Sequence, residues 1–473
     1  MCAWLAVMLL CGGVSLPYPM FLAFQSVISF LLLGFGLFRL RTGFPTKLAV
    51  AGACVAFASV LLLLLQTIPL PFGVWSQLPG RELVVKSFEL LGAVNPWQPL
   101  TLSLSGTRAD AIAILPMLAG YFAALTLTRS DYARIAVVVV SCALVGLIIS
   151  MLQRLQGIDS FWYFYGTLSG SQVVGTFGNR NFFAAQLFSS IPFIAALAMT
   201  ASSKFGIKPF IIAVFALVYV GVLVAGLGAV GSRAGIALAM VSVLLSIAYV
   251  YRMSSDTSRR AGSRFILPVA LGAFFIIAQA GMVGILRFTS SEPMDDFRGT
   301  IYDISLKAAK SFSPAGSGFG TFVPVYQMFE TPAATIENYA NHAHNDWLEI
   351  ALEGGLPAVV LLLVFVGIVL MSVFAISRLS FGLIPHAYLR ASVVSILLLL
   401  AHSIVDYPLR TPALMAFFAV CCGFLTLGRA MEKPSAPLSG PRILKSRNTT
   451  ENPGFKNMRP KPSGGPLKHQ VKQ

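Results

Sequence analysis

Residues 341–377 run NHAHNDWLEIALEGGLPAVVLLLVFVGIVLMSVFAIS. The second half, 356–377, is apolar and uncharged. A run of about 20 such residues matches the hydrocarbon thickness of a bilayer when it is helical. A helix lets one segment pair all its backbone groups inside lipid. The first half has the opposite character. It crowds Asn341, His342, His344, Asn345, Asp346, Trp347, Glu349 and Glu353 into one short polar stretch. Gly354, Gly355 and Pro357 lie between the halves, where they break and restart the helix at the membrane surface.

The apolar signature recurs along the chain, at 1–16, 18–38, 48–68, 109–128, 135–152, 181–200, 210–230, 234–250, 265–286, 388–406 and 411–430. With 356–377 this makes twelve segments, of which the first is the shortest. Composition agrees: 56% of the 473 residues are hydrophobic, 11% are charged, and the mean hydropathy is +0.78. Soluble proteins carry about 25% charged residues. The expected fold class is therefore an all-α integral membrane protein with about 12 transmembrane helices and no soluble catalytic domain.

The net charge of +16 is unevenly placed. Alternating the segments puts 23 Lys and Arg with four acids on one side, and 11 with 14 acids on the other. The basic side holds Arg39, Arg41, Lys47, Arg129, Arg134, Lys204, Lys208, Arg252, Arg378, Arg390 and the region 431–473. By the positive-inside rule this side is cytoplasmic, with both termini. The region 431–473 reads as a disordered basic tail, attracted to anionic membrane lipid in preference to nucleic acid. The apolar start without a basic leader reads as a retained helix, not a signal peptide. Domain organisation is thus a polytopic body, 1–430, and the tail. Three long loops, 69–108, 153–180 and 287–355, fall on the outer side. The first contains an amphipathic stretch near Leu83–Leu91 suited to the interface. The six cysteines all lie in apolar segments, which argues against a disulfide framework or a zinc site.

Chemistry-bearing residues concentrate on the outer side. In 341–355, Asn341 is a candidate helix cap. His344 and Leu348 would then share one face, and Asp346, Glu349 and Glu353 another. An imidazole here suits a general base. His342-Ala-His344-Asn-Asp346 also fits an H-x-H-x-D metal pattern. Further ligands would have to come from His402 and Asp406, so metal is the less favoured reading. Gly231-Ser-Arg-Ala-Gly235 places Arg233 at a membrane surface, where its planar fork suits phosphate oxygens. Gly175-Thr-Phe-Gly-Asn-Arg-Asn-Phe182 offers Asn179, Arg180 and Asn181 at a helix N-terminus, a natural anion site. Phe297-Arg-Gly-Thr-Ile-Tyr302 adds Arg298 as a second phosphate clamp. His402 and Asp406 stand at i, i+4 near the outer end of helix 388–406. Phe312–Phe322 (FSPAGSGFGTF) is expected to be a Gly-rich surface turn. It lacks the Lys-Ser/Thr ending of a nucleotide loop.

HAHNDWLEIALEGG before an apolar helix, SRAG after one, GTFGNRNFFA and FRGTIY, in their order and outer placement, resemble the O-antigen ligase/polymerase family of envelope glycosyltransferases. The family-like core is about 170–430. The resemblance implies a lipid-dependent, GT-C-like glycosyltransferase fold with a large helical periplasmic loop in the bacterial inner membrane. It implies transfer or polymerisation of a glycan from an undecaprenyl-diphosphate carrier to an acceptor hydroxyl on another glycan, on lipid A-core or on protein. The family's essential His matches His344, and its essential Arg residues match Arg233 and Arg298. Asn345, Arg180, Asn179, Asn181, His342, Asp346, His402 and Asp406 would contact substrate. His342 is an extra histidine, so the base is one of two. Neither cofactor nor metal is implied, because the lipid diphosphate already activates the sugar.

A transporter or flippase of lipid-linked saccharides is the rival from another class. Such proteins need a charged cavity within the membrane core. Here the helix interiors are nearly free of charge, and polar residues gather at one surface.

Overall fold

The computed structural model describes residues 1–14, 19–94, 96–166, 172–253, 293–332, 340–377 and 385–427. The expected helix 265–286 and the expected tail 431–473 lie outside the described residues. Sixteen α-helices are described: α1 (Cys2–Cys11), α2 (Pro19–Arg39), α3 (Lys47–Leu65), α4 (Phe72–Trp75), α5 (Glu82–Leu90), α6 (Leu104–Ala113), α7 (Leu115–Ala124), α8 (Arg129–Gln156), α9 (Arg180–Phe205), α10 (Pro209–Val230), α11 (Arg233–Met253), α12 (Pro293–Phe312), α13 (Phe322–Phe329), α14 (Asp346–Ser377), α15 (Pro385–His402) and α16 (Pro412–Leu427). The described β-structure is a two-residue pairing of 69–70 with 98–99 and one isolated bridge.

Among the described residues, seven helices are long and apolar enough to cross a bilayer: α2, α3, α8, α9, α10, α11 and α14. The chain is a multi-pass, all-α membrane protein. Three further apolar helices, α1, α15 and α16, are shorter. The expected segment 1–16 is realised as the ten-residue α1, about 15 Å long by helical rise. That is about half a hydrocarbon core. The expected segment 109–128 is two helices that meet at Ile114. Pro116 has no N–H to return to the preceding turn, which accounts for the break.

Helix α9 sits centrally, packed by α8, α10, α11 and α15, while α16 packs against α7, α15 and α1. Every residue of α16 is buried. A helix that is apolar all round belongs inside a bundle. In contrast, α2, α3 and α10 keep large apolar side chains on the outside, such as Phe30, Phe57 and Phe215. In water these would be costly; against lipid they are not.

The loops assigned to the outer side meet at one end of the bundle. Gln153 stitches 153–180, its amide donating to the carbonyls of Trp162 and Gly175 and accepting from the N–H groups of Val174 and Gly175. The amphipathic stretch in 69–108 is α5, with Leu83 and Leu90 exposed. Loop 287–355 carries α12, α13 and the first turns of α14.

The Gly-rich run 312–322 is not a surface turn. Ser317 and Thr321 are fully buried. The run is wedged between residues 101–107, which lead into α6, and the kink of α14. Leu102 N–H donates to Ser317, Ser317 N–H to Leu352, and Gly318 N–H to Glu353. Arg81, buried, donates to the carbonyls of Leu100 and Gly316. Its guanidinium lies over the Phe312 ring, and burial pulls its pKa down to about 10. At Gly316 a β-carbon would fall 2.6 Å from the Glu353 carbonyl oxygen, so the glycine permits the backbone approach.

Candidate functional site

The local chemistry of α14 begins with its cap. The cap is Asn345, not Asn341: Asn345 Oδ1 accepts the Leu348 N–H at 3.0 Å. Asp346 N–H donates to the Ser403 carbonyl at 2.9 Å, and Ser403 Oγ donates to Asp346 Oδ2 at 2.7 Å. These bonds pin the start of α14 to the end of α15. His344 stands just before the cap, outside the helix, so it does not share a helical face with Leu348. Its φ is +51°, and it is the one non-glycine with positive φ among the described residues. Such an outlier costs about 1–3 kcal/mol and is typical of functional sites.

Asp406 is the acceptor at the centre. It is buried, and its Oδ1 lies 3.2 Å from His344 Nδ1 and accepts the Tyr407 N–H at 3.0 Å. Its Oδ2 accepts from Asn181 Nδ2 at 2.6 Å, and Arg298 Nη2 stands 3.9 Å away. Burial alone would raise this carboxyl. The hydrogen bond and charge of His344, with His402 and Arg298 nearby, outweigh it and hold Asp406 below the usual carboxylate range. The chain of contacts continues: Ser232 Oγ donates to Asn181 Oδ1 at 2.8 Å, one residue before Arg233 opens α11. Asn179 Oδ1 accepts the Asn181 N–H at 2.7 Å, beside Arg180 at the start of α9.

His402 is placed differently. Helix α15 ends at His402, so the pair with Asp406 is not two side chains on one helical face. The Asp406 N–H donates to the His402 carbonyl instead. The His402 ring is fully buried edge-to-face on Phe188, with neither ring nitrogen hydrogen-bonded among the described residues.

A second cluster lies beside the first. His342 Nδ1 is 2.8 Å from Glu349 Oε1, and Glu349 Oε2 accepts the Ala343 N–H at 2.8 Å. Arg410 lies among Asp110, Asp346, Glu349 and Glu353. Burial would lower the Arg410 pKa, but these four carboxylates raise it well above its ordinary value. Glu353 Oε1 also accepts the N–H groups of Thr321 and Phe322 at the start of α13. Tyr407 joins the two clusters: its ring centroid is 4.4 Å from that of His342 and 4.9 Å from that of His344. Its hydroxyl accepts from Asn341 Nδ2 at 3.2 Å. Burial and the Asp406 charge push the Tyr407 phenol pKa upward.

The fold thus brings together His344, Asn345, Asp406, Asn181 and Arg298, with Arg233, Asn179 and Arg180 adjoining by chain. Among the described residues, no group of three or more His, Cys, Asp or Glu is arranged to hold a metal ion. Sequence reasoning did not single out Asp110, Tyr407 or Arg410 as site residues. Arg410 had a usable cue: three carboxylates on one face of α14 require a cation, and Arg410 is a nearby outer-side candidate beside an apolar helix.

Residues 218–363 match the protein-family model for O-antigen ligase. The matched span includes Arg233, Arg298, His342 and His344; Arg180, Asn181 and Asp406 lie outside it. It supports the O-antigen ligase/polymerase family that the motifs resemble. No curated protein matches the chain in sequence.

Proposed function

We propose, from the match of residues 218–363 to the O-antigen ligase family model, that the chain moves a glycan from an undecaprenyl-diphosphate carrier onto an acceptor hydroxyl. The protein is an inner-membrane glycosyltransferase of the lipid-dependent, GT-C-like type, with both termini cytoplasmic and its site facing the periplasm. The acceptor is a growing glycan or lipid A-core, as in a polymerase or ligase. The observation that carries the reading is the His344–Asp406 pair, with Arg298 against the same carboxylate.

A carboxylate on Nδ1 selects the tautomer with the proton on that nitrogen, which leaves the Nε2 lone pair free. His344 Nε2 takes the proton of the attacking hydroxyl as the new bond to the anomeric carbon forms. The anomeric C–O bond breaks towards the diphosphate, on which negative charge grows. Arg233 and Arg298 bind that charge, and Asn179, Arg180 and Asn181 hold the carrier end at the start of α9. Asp406 stabilises the imidazolium, as a buried carboxylate does in other His-based sites. The reaction needs neither nucleotide nor metal.

The test is surface glycan display by wild type, His344→Ala and Arg233→Ala at matched membrane levels. The expected result is loss of long polysaccharide in both variants, with lipid-linked intermediate accumulating. An unchanged glycan profile in His344→Ala would sink the proposed base.

A further inference from the structure

Arg410 contacts none of the groups assigned to the reacting atoms, yet it organises the segment that carries them. Its Nη2 lies 3.2 Å from Glu349 Oε1 and 3.2 Å from Glu353 Oε2. Its Nε lies 3.6 Å from Asp346 Oδ1, and its Nη1 3.5 Å from Asp110 Oδ2. Asp346, Glu349 and Glu353 occupy one face of α14 at i, i+3 and i+7 and are all buried. Like charges at this spacing repel, and a low dielectric strengthens the repulsion. A planar fork can face several carboxylates at once, which a lysine ammonium does less well.

Two routes lead from Arg410 to His344. Through Glu349 it reaches the Ala343 N–H and His342, the residues immediately before His344. Along its own turn, Pro408–Arg410, it adjoins Tyr407 and Asp406, which hold the His344 ring from the other side. We propose that Arg410 is a positioning residue. It clamps the first turns of α14 against the 406–410 turn, so that His344 keeps its left-handed backbone and its Nδ1 on Asp406, without binding the donor diphosphate. This inference rests on the transferase reading above.

The experiment compares full-length wild type, Arg410→Lys, Arg410→Met, Arg410→Met with Glu353→Gln, His344→Ala and Arg233→Ala. Three quantities are measured: glycan display at matched membrane level, thermal unfolding of the purified protein, and affinity for undecaprenyl diphosphate itself as the probe. Arg410→Met is expected to lower glycan display by about 100-fold or more, the scale of a misplaced general base. Its affinity for undecaprenyl diphosphate should stay within about threefold of wild type, because the phosphate-binding arginines are intact. Arg233→Ala should lose that affinity. Removing one repelling carboxylate with Glu353→Gln should return about tenfold of the lost display, since Gln can still accept the α13 amides. Arg410→Lys should fall between. Retained display in Arg410→Met overturns the proposal. So does loss of undecaprenyl diphosphate affinity in that variant, or absence of recovery in the double variant. Failure of all three Arg410 variants to fold would make Arg410 a folding residue and overturn it too. Unchanged display in His344→Ala instead removes His344 as the base of the transferase reading, and this inference with it.

Discussion

His344 holds a backbone conformation that a β-carbon disfavours by about 1–2 kcal/mol. Its neighbours fix it there: the Asn345 cap on one side, the Ala343 N–H to Glu349 on the other, and Asp406 on the ring. The strain has a geometric use, because it turns the imidazole out of the helix line and towards Asp406 and Tyr407 in the turn after α15. Asp406→Asn tests the ring contact directly. Asparagine keeps the shape and an acceptor for Asn181, but it no longer selects the Nδ1–H tautomer or stabilises an imidazolium. Glycan transfer should fall by about 100-fold or more at normal membrane abundance. Transfer within about twofold of wild type, measured at matched abundance, would detach Asp406 from the chemistry. At this scale His344 was legible in the sequence, because scarce histidines in a polar stretch stand out in an apolar chain; the cap was not, since Asn341 was expected and Asn345 takes the place. Tyr407 was not, because a tyrosine at the end of an apolar segment looks like any interfacial aromatic. Its place between two imidazoles depends on a contact that spans more than 60 residues.

Helix α14 bends where the sequence says it should, at Gly355, whose φ of +59° is non-helical. What the sequence concealed is what fills the bend. The turn 312–322 inserts there, and Leu356 N–H donates to the Pro314 carbonyl at 2.9 Å. Gly-rich composition alone suggests a solvated turn; burial came instead from close backbone approach on both sides. A β-carbon at Gly355 would sit 2.3 Å from the Pro314 oxygen, and backbone cannot yield as a side chain can. Gly355→Ala therefore combines a disfavoured φ with a clash. It should destabilise the protein by about 1–3 kcal/mol or more, read as a lower unfolding temperature of the purified protein. Gly367→Ala, also on α14 but with open space around it, is the matched control and should be nearly neutral or slightly stabilising. Equal unfolding temperatures for the two variants would contradict the wedge. The α6–α7 break belongs to the same lesson: a hydropathy window sees one apolar span, and Pro116 divides it.

Across the whole molecule, charge and geometry agree on which loops belong together. The outer set was chosen only by alternating apolar segments and counting Lys and Arg. The structure joins members of that set through Asn181, Ser232, Arg298, His344, Asp406 and Arg410, drawn from four separate connections. At the opposite end Thr46 donates to the Thr426 carbonyl, and Thr200 meets the Tyr388 hydroxyl. An odd number of missed or spurious spans between these groups would have scattered them over both ends. Individual apolar helices such as α1 are shorter than the spans expected from the sequence. The absolute direction proposed above rests on the basic excess in the loops opposite the site, since Lys and Arg in short loops tend to be retained in the cytoplasm. Reporter fusions check this. Alkaline phosphatase joined after residue 166 or after residue 332 should be active, and a fluorescent protein joined after residue 427 should fluoresce. The reverse pattern would place the His344 site in the cytoplasm. There it would face nucleotide-sugar pools instead of a carrier lipid already translocated, and the donor assignment would fall with the topology.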